Sequence, residues 1–170
     1  MLFNALIKPI LEYCCIVWGS CSVANLQRLL QLQKRCARLI LNSTISDSSV
    51  ELFDQFGWLP IDDIIRVRKL FLLHKVSKGH CPEYFSSYFK HVRSTHGYGT
   101  RSAILNDVLT PSFKRNSGLK TFHSSACRLW NNLYNSYRNI TSHKNFRKML
   151  QNNLIRENSS LDHFNTTRTF

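Results

Sequence analysis

The sequence predicts a mainly α-helical chain, and three observations carry that reading. Apolar residues recur every three or four positions over long stretches, serine and proline stand where helices would begin, and single glycines stand where they would end. Only between residues 94 and 119 are the apolar runs too brief for helices. The expected architecture is an N-terminal helical hairpin followed by a small helical region with a short irregular or β insertion.

Within residues 2–18, Leu6, Ile7, Ile10, Leu11, Cys14, Val17, Trp18 and Cys21 continue one helical stripe, which Gly19 and Ser20 break. A second stripe holds Leu26, Leu29, Leu30, Gln33, Cys36, Ala37 and Ile40, with Arg28, Lys34, Arg35 and Arg38 mostly off it. The two predict an antiparallel hairpin over residues 1–44. Three cysteines and a tryptophan in "YCCIVWGSC", residues 13–21, invite a metal or redox reading. Their place in the stripe instead makes Cys14 and Cys21 small apolar fillers beside Trp18, with Cys15 next to it.

Residues 45–93 read as short helices. Ser48 with Glu51 three positions on is a capping-box pattern ahead of Leu52, Phe53 and Phe56, and Gly57 closes that helix. In "WLPIDD", Trp58 precedes a helix with Pro60 in its first turn, where a missing amide costs nothing. Asp62 and Asp63 sit where the helix dipole favours negative charge and are expected to stay solvated. That helix should run to Gly79, and Pro82 opens another with Tyr84, Phe85, Tyr88, Phe89 and Val92 on one face.

Residues 94–157 begin with irregular chain and one or two short strands. "FHSSACRLWNNLY" then puts Phe122, Ala126, Leu129, Trp130 and Leu133 on one side of a helix. In "SHKNFRKMLQNNLI", Ser142 is the expected cap and Phe146, Met149, Leu150 and Leu154 the apolar face. The polar residues 158–170 are expected to be a flexible tail.

A chain of 170 residues can bury a core without crosslinks. The six cysteines, two of them adjacent and with no secretory signal ahead of them, point to a reducing compartment, hence an intracellular protein of nucleus or cytoplasm. Lys8, Pro9 and Glu12 interrupt the apolar N-terminus well short of a membrane span, so no membrane partner is expected. The four sequons, at Asn42, Asn139, Asn158 and Asn165, read as chance matches.

Charge is unevenly placed. Residues 1–63 hold five basic and six acidic side chains, a net of −1, and residues 64–170 hold eighteen and four, a net of +14. Excess positive charge interleaved with aromatics suits a polyanion, and RNA or DNA is the commonest one; a merely solvated basic surface is the competing reading. Arg101, Lys114, Arg115, Lys120 and Arg128, near Tyr98, Phe113, Phe122, His123 and Trp130, pair phosphate contacts with surfaces for base stacking. Lys144, Arg147 and Lys148 add a basic turn on the last helix. Phe122 and Trp130 fit a core role at least as well, so the binding reading rests on charge more than on stacking.

Other chemistries find little support. There is no C-x-x-C, and His74, His80, Cys81, His91 and His96 have irregular spacing, so no metal site is assigned. Cys127 with His123 lies at helical spacing but lacks an orienting acid. Six scattered glycines make no phosphate loop. No catalytic residue and no cofactor is assigned.

The ordered blocks "LFNALIKPILEYCCIVWGS", "LQRLLQLQKRCARLI", "ELFDQFGWLPIDDIIRVRKLFLLHKVSKGHCPEYF", "TRSA" and "LKTFHSSACRLWNNL" together resemble the segment that follows the polymerase domain in LINE-type, jockey-like non-LTR retrotransposon reverse transcriptases. The resemblance covers residues 2 to 155. Its most specific pieces are the "GWLP" turn with the basic helix and "PEYF" after it, and the "FHSSACRLWNNL" helix. It implies that residues 1–44 are thumb-like and follow a polymerase palm that this chain lacks. The family's RNA-directed DNA polymerase uses paired palm aspartates to bind two metal ions; Asp62 and Asp63, after "GWLPI" at a helix start, do not match that motif.

Three readings follow from the sequence. The chain is a truncated C-terminal piece of such an enzyme that adds non-specific RNA or DNA binding; or it is an interaction module that packs on the polymerase part of a reverse transcriptase or another subunit; or it is an inactive remnant. None makes the chain an enzyme in its own right. Cys14, Trp18, Trp58, Pro60 and Trp130 are expected to serve structure.

Overall fold

The computed structural model describes residues 2–44, 47–95 and 97–166. The chain is mainly helical, as the periodicity predicts. Among the described residues, the β structure is one isolated antiparallel bridge between His91 and Val108, so the expected insertion is irregular chain and single helical turns, not a sheet. Two compact units emerge. Unit 1 takes the residues up to Ile65 and those from Lys148 onward, and unit 2 takes Arg66–Arg147. These divisions fall inside helices.

In unit 1 the N-terminal arm is broken where the sequence predicts one continuous helix. Pro9 has no amide to donate and its ring crowds the carbonyl four residues back. The turn ahead of it widens to π geometry over Phe3–Ile7, and the Lys8 amide bonds to the Phe3 carbonyl. Helix α1, Lys8–Glu12, ends at an extended Tyr13, and Cys14 takes a left-handed backbone with φ 47° before α2, Cys15–Trp18. The Trp18 indole donates to the Tyr13 carbonyl at 2.7 Å, satisfying an acceptor that the break frees.

This break overturns the expected burial of the cysteines. Cys14 is exposed and Cys15 is buried, the reverse of the stripe reading, because the left-handed residue rotates the stripe after it. Leu6, Ile7, Ile10 and Val17 are exposed as well, while Phe3 is buried and Leu11 half-buried.

Helix α3, Val23–Leu41, starts at Ser22, whose hydroxyl accepts from the Asn25 amide, and ends at Asn42 in the left-handed region. Helix α4, Ser49–Phe56, ends at Gly57 with φ 60°, the conformation that favours glycine. Ser48 stands at its cap position as predicted, but its side chain makes no cap bond. Ala37 of α3 meets Leu52 and Phe53 of α4, Trp58 and Phe3 in one core cluster. The Trp58 ring stacks on Phe3 at 3.8 Å and on Phe56 at 4.6 Å. Trp58 is thus part of this core.

Helix α5, Ile61–Ser77, begins at Pro60, whose carbonyl accepts from the Ile64 amide at 3.0 Å, and it closes at Gly79, φ 71°. Asp62 is exposed, but Asp63 is buried, contrary to its expected solvation. Partial burial, then the neighbouring Asp63 carboxylate, raise the Asp62 pKa.

In unit 2, α6, Glu83–Tyr88, leaves Tyr84 and Tyr88 exposed and is followed by the buried Phe89. A 3₁₀ turn at Val92–Ser94 leads to α7, Arg101–Ile104, then α8, Asn116–Leu119, α9, Phe122–Asn131, and α10, Asn135–Arg138. Ser142 caps α11, His143–Thr166, accepting from the Asn145 amide as predicted. The α11 backbone continues through residues 158–166, where a flexible tail was expected; residues 167–170 of that tail lie outside the described residues.

Candidate nucleic-acid interface

Unit 2 holds fifteen basic and two acidic residues, a net of +13, and the rest of the chain holds eight of each, a net of zero. All of the protein's net charge therefore belongs to the contiguous segment Arg66–Arg147. Of the eight candidate binding residues, Arg101, Lys114, Arg115, Lys120, Arg128, Lys144 and Arg147 lie in unit 2 and Lys148 in unit 1. Arg147 is half-buried and the other seven are exposed.

The elements that present these cations are short and need anchoring. Thr100 caps α7 by accepting from the Ala103 amide, which sets Arg101 at the first exposed position of that turn. The chain from 105 to 110 is then clasped by two side chains. Asn131 accepts from the Val108 amide at 2.9 Å and donates to the Val108 carbonyl at 2.8 Å. Arg138 donates to Asp107 at 2.7 Å and to the carbonyls of Leu105, Asn131 and Leu133 at 2.6, 2.7 and 3.0 Å. Lys114 and Arg115 follow Phe113, whose ring lies so close to Gly118 that a Cβ there would collide with it. Thr121 caps α9, from which Arg128 projects as an exposed side chain.

Two of the fifteen cations are spent on the interior. Arg138 is buried in the clasp just described, and Lys69 is buried and donates to the Ser125 hydroxyl at 2.9 Å. Sequence reasoning missed both roles. A signal for Arg138 was present: Asp107 is the lone carboxylate between residues 84 and 156, so a specific partner for it was to be expected.

The aromatics divide in the same way. Tyr98 is 79% and Phe113 39% exposed, open to stacking. Trp130 is buried, and Phe122 and His123 are half-buried. Phe122 packs edge-on against Phe89 at 5.8 Å, and His123 lies 4.0 Å from the Tyr88 ring. Burial lowers the His123 pKa, which favours the neutral ring. Exposed Tyr84, Tyr88 and Tyr134 were not among the predicted stacking residues.

A histidine cluster forms a second ionisable group in unit 2. His74 stacks on Phe146 at 4.0 Å, and its Nε2 donates to the Ile140 carbonyl at 2.7 Å. That bond leaves Nδ1 as an acceptor, which His143 Nδ1 meets at 2.9 Å. His80 lies edge-on to His143 at 4.6 Å. Desolvation, then neighbouring positive groups including Lys78, lower the pKa of both His74 and His143. Among the described residues, no group of three or more histidine, cysteine, aspartate or glutamate side chains is placed to hold a metal ion; His96 lies outside the described residues. Burial lifts the Cys127 thiol to about 11, which makes it a poor nucleophile.

No helix among the described residues is long and apolar enough to cross a membrane. Compared with protein-family models, with curated proteins and with solved structures, the chain matches none.

Proposed function

We propose that the protein binds single-stranded RNA or DNA without sequence preference through unit 2, in the manner of a segment that follows the polymerase domain of a LINE-type reverse transcriptase. The observation that carries this reading is the segregation of charge: a net of +13 on unit 2 against zero on unit 1. Exposed cations, exposed tyrosines and Phe113 all belong to this unit, which would supply phosphate contacts and stacking surfaces. The reading gives the chain no catalytic step of its own.

The test is equilibrium binding of the full chain to single-stranded homopolymers across a salt series. Six phosphate contacts give a log–log slope of about −4 to −5. A flat response to salt overturns the proposal.

A second reading has its own observation. Leu2, at 78%, Ile10, at 74%, and Val17, at 74%, are exposed on the N-terminal arm of the unit without net charge, which suits packing on a polymerase domain or another subunit. Association through that face would be insensitive to salt, and the isolated chain would self-associate in sedimentation measurements.

A further inference from the structure

We infer that Tyr88, braced on His123, is the position in unit 2 where a base of a bound single strand stacks. The inference rests on the reading of unit 2 as a nucleic-acid binder and says where on it a base goes. The Tyr88 and His123 rings lie 4.0 Å apart with their planes 30° from parallel. Phe89, which is buried, sits edge-on to both at 5.3 and 4.9 Å, and Phe122 meets Phe89 in turn at 5.8 Å. Tyr88 of α6 is thus held from α9, and it still keeps 53% of its surface exposed. A ring already fixed by its neighbours and still exposed loses little side-chain freedom when a second ring is laid on it.

The charge around this ring pair restricts what the second ring belongs to. Lys90, two residues past Tyr88, and Lys120, three before His123, are both exposed. The two carboxylates of the unit are Glu83, at the start of α6, and Asp107, which Arg138 neutralises at 2.7 Å. An exposed ring on a unit of net +13 favours a ligand ring that brings negative charge with it, and a nucleic-acid strand carries one phosphate per base. An apolar protein segment would draw nothing from that charge. Other exposed rings of the unit are less well prepared. Tyr98 stands between Gly97 and Gly99, on backbone with more freedom to lose, and Tyr84 lies against Phe85, the next residue of its own helix, at 4.6 Å. Every base has a π face, so stacking on Tyr88 adds affinity without reading sequence.

The test compares the affinity of the full chain for an oligothymidylate and for an abasic strand of the same length and charge, each across a salt series. The thymidylate binds about tenfold more tightly, the scale of one base stacked on an aromatic side chain, and the two strands share one salt slope. Tyr88→Leu removes most of that ratio and leaves the slope as it was, Tyr88→Phe keeps the ratio, and Tyr13→Leu in unit 1 changes neither. A ratio near one in the unaltered chain overturns the inference, as does a ratio that survives Tyr88→Leu. Should Tyr88→Leu fail to fold, photocrosslinking of a bromouracil-containing strand to the unaltered chain decides the matter: attachment at Tyr88 is the expected result, and attachment only elsewhere overturns it. A flat salt response overturns the binding reading of unit 2 and this inference with it, whereas a steep slope to which Tyr88 makes no difference overturns this inference alone.

Discussion

Units 1 and 2 are of similar size but solve the problem of their surfaces in opposite ways. Unit 1 balances eight basic against eight acidic residues and exposes aliphatic side chains such as Leu2, Leu6, Ile10, Val17 and Leu39. Unit 2 carries fifteen basic residues against two acidic ones, and the large apolar groups it exposes include Tyr84, Tyr88, Tyr98, Phe113 and Tyr134. Aliphatic groups on a neutral surface suit contact with protein, and rings among cations suit contact with nucleic acid. One chain thus presents two surfaces of different chemistry.

Matched substitutions on the two units would break that comparison most directly. Arg101, Lys114 and Arg115 changed to Gln should reduce the steepness of the salt dependence by about 2 to 3, near one per phosphate contact. Arg28, Lys34 and Arg35 changed to Gln on unit 1 should leave the slope as it was. Equal effects in binding titrations would show that position does not matter and only total charge does.

Arg138→Met should lower the stability by about 3–5 kcal/mol in denaturant unfolding, since it strands Asp107 and three carbonyls. The exposed Lys144→Met should stay within roughly 0.5 kcal/mol. A smaller effect is expected at Gly19 of unit 1, where a Cβ would collide with the Cys15 carbonyl and the Ile65 side chain. Gly19→Ala should cost about 1–3 kcal/mol on the same measurement.

The histidine cluster makes the stability of unit 2 depend on pH. His74 and His143 have pKa values lowered below the ordinary 6.5, so the unfolded chain takes up protons first as pH falls. Stability is full above about 6.5 and declines as pH drops through and below it. His74→Gln, which keeps a donor for the Ile140 carbonyl, should flatten the dependence of the thermal midpoint on pH. The least perturbing probe is a thiol titration under native conditions: exposed Cys14 should react at once, and buried Cys15 and Cys127 only on unfolding.

Much of this fold was legible because its signals are local. Ser142 caps a helix, Gly57 and Gly79 end helices in the left-handed region, and Pro60 starts one, each through backbone chemistry that neighbouring residues decide. The break at Cys14 was not legible, because no glycine marks it and the stripe runs on at helical spacing. Burial was legible only where many partners converge, as at Trp58 and Trp130; Asp63, Lys69 and Arg138 went inside on account of partners distant in sequence or not evident from it. The candidate cations are mostly exposed, which is the ordinary state of lysine and arginine. Gln33 sat in the predicted apolar stripe as an irregularity, and only the Leu59 carbonyl, 26 residues on, gives it a purpose.

The discontinuity of unit 1 also sets an order of events on the ribosome. Unit 2 is one unbroken stretch, Arg66–Arg147, and is complete once its last residue has emerged. Unit 1 must wait for residues from Lys148 onward, so its segment up to Ile65 is synthesised before unit 2 and finished after it. Throughout that interval the aliphatic side chains of that segment stand without the closing helix, open to a chaperone that recognises nascent apolar segments.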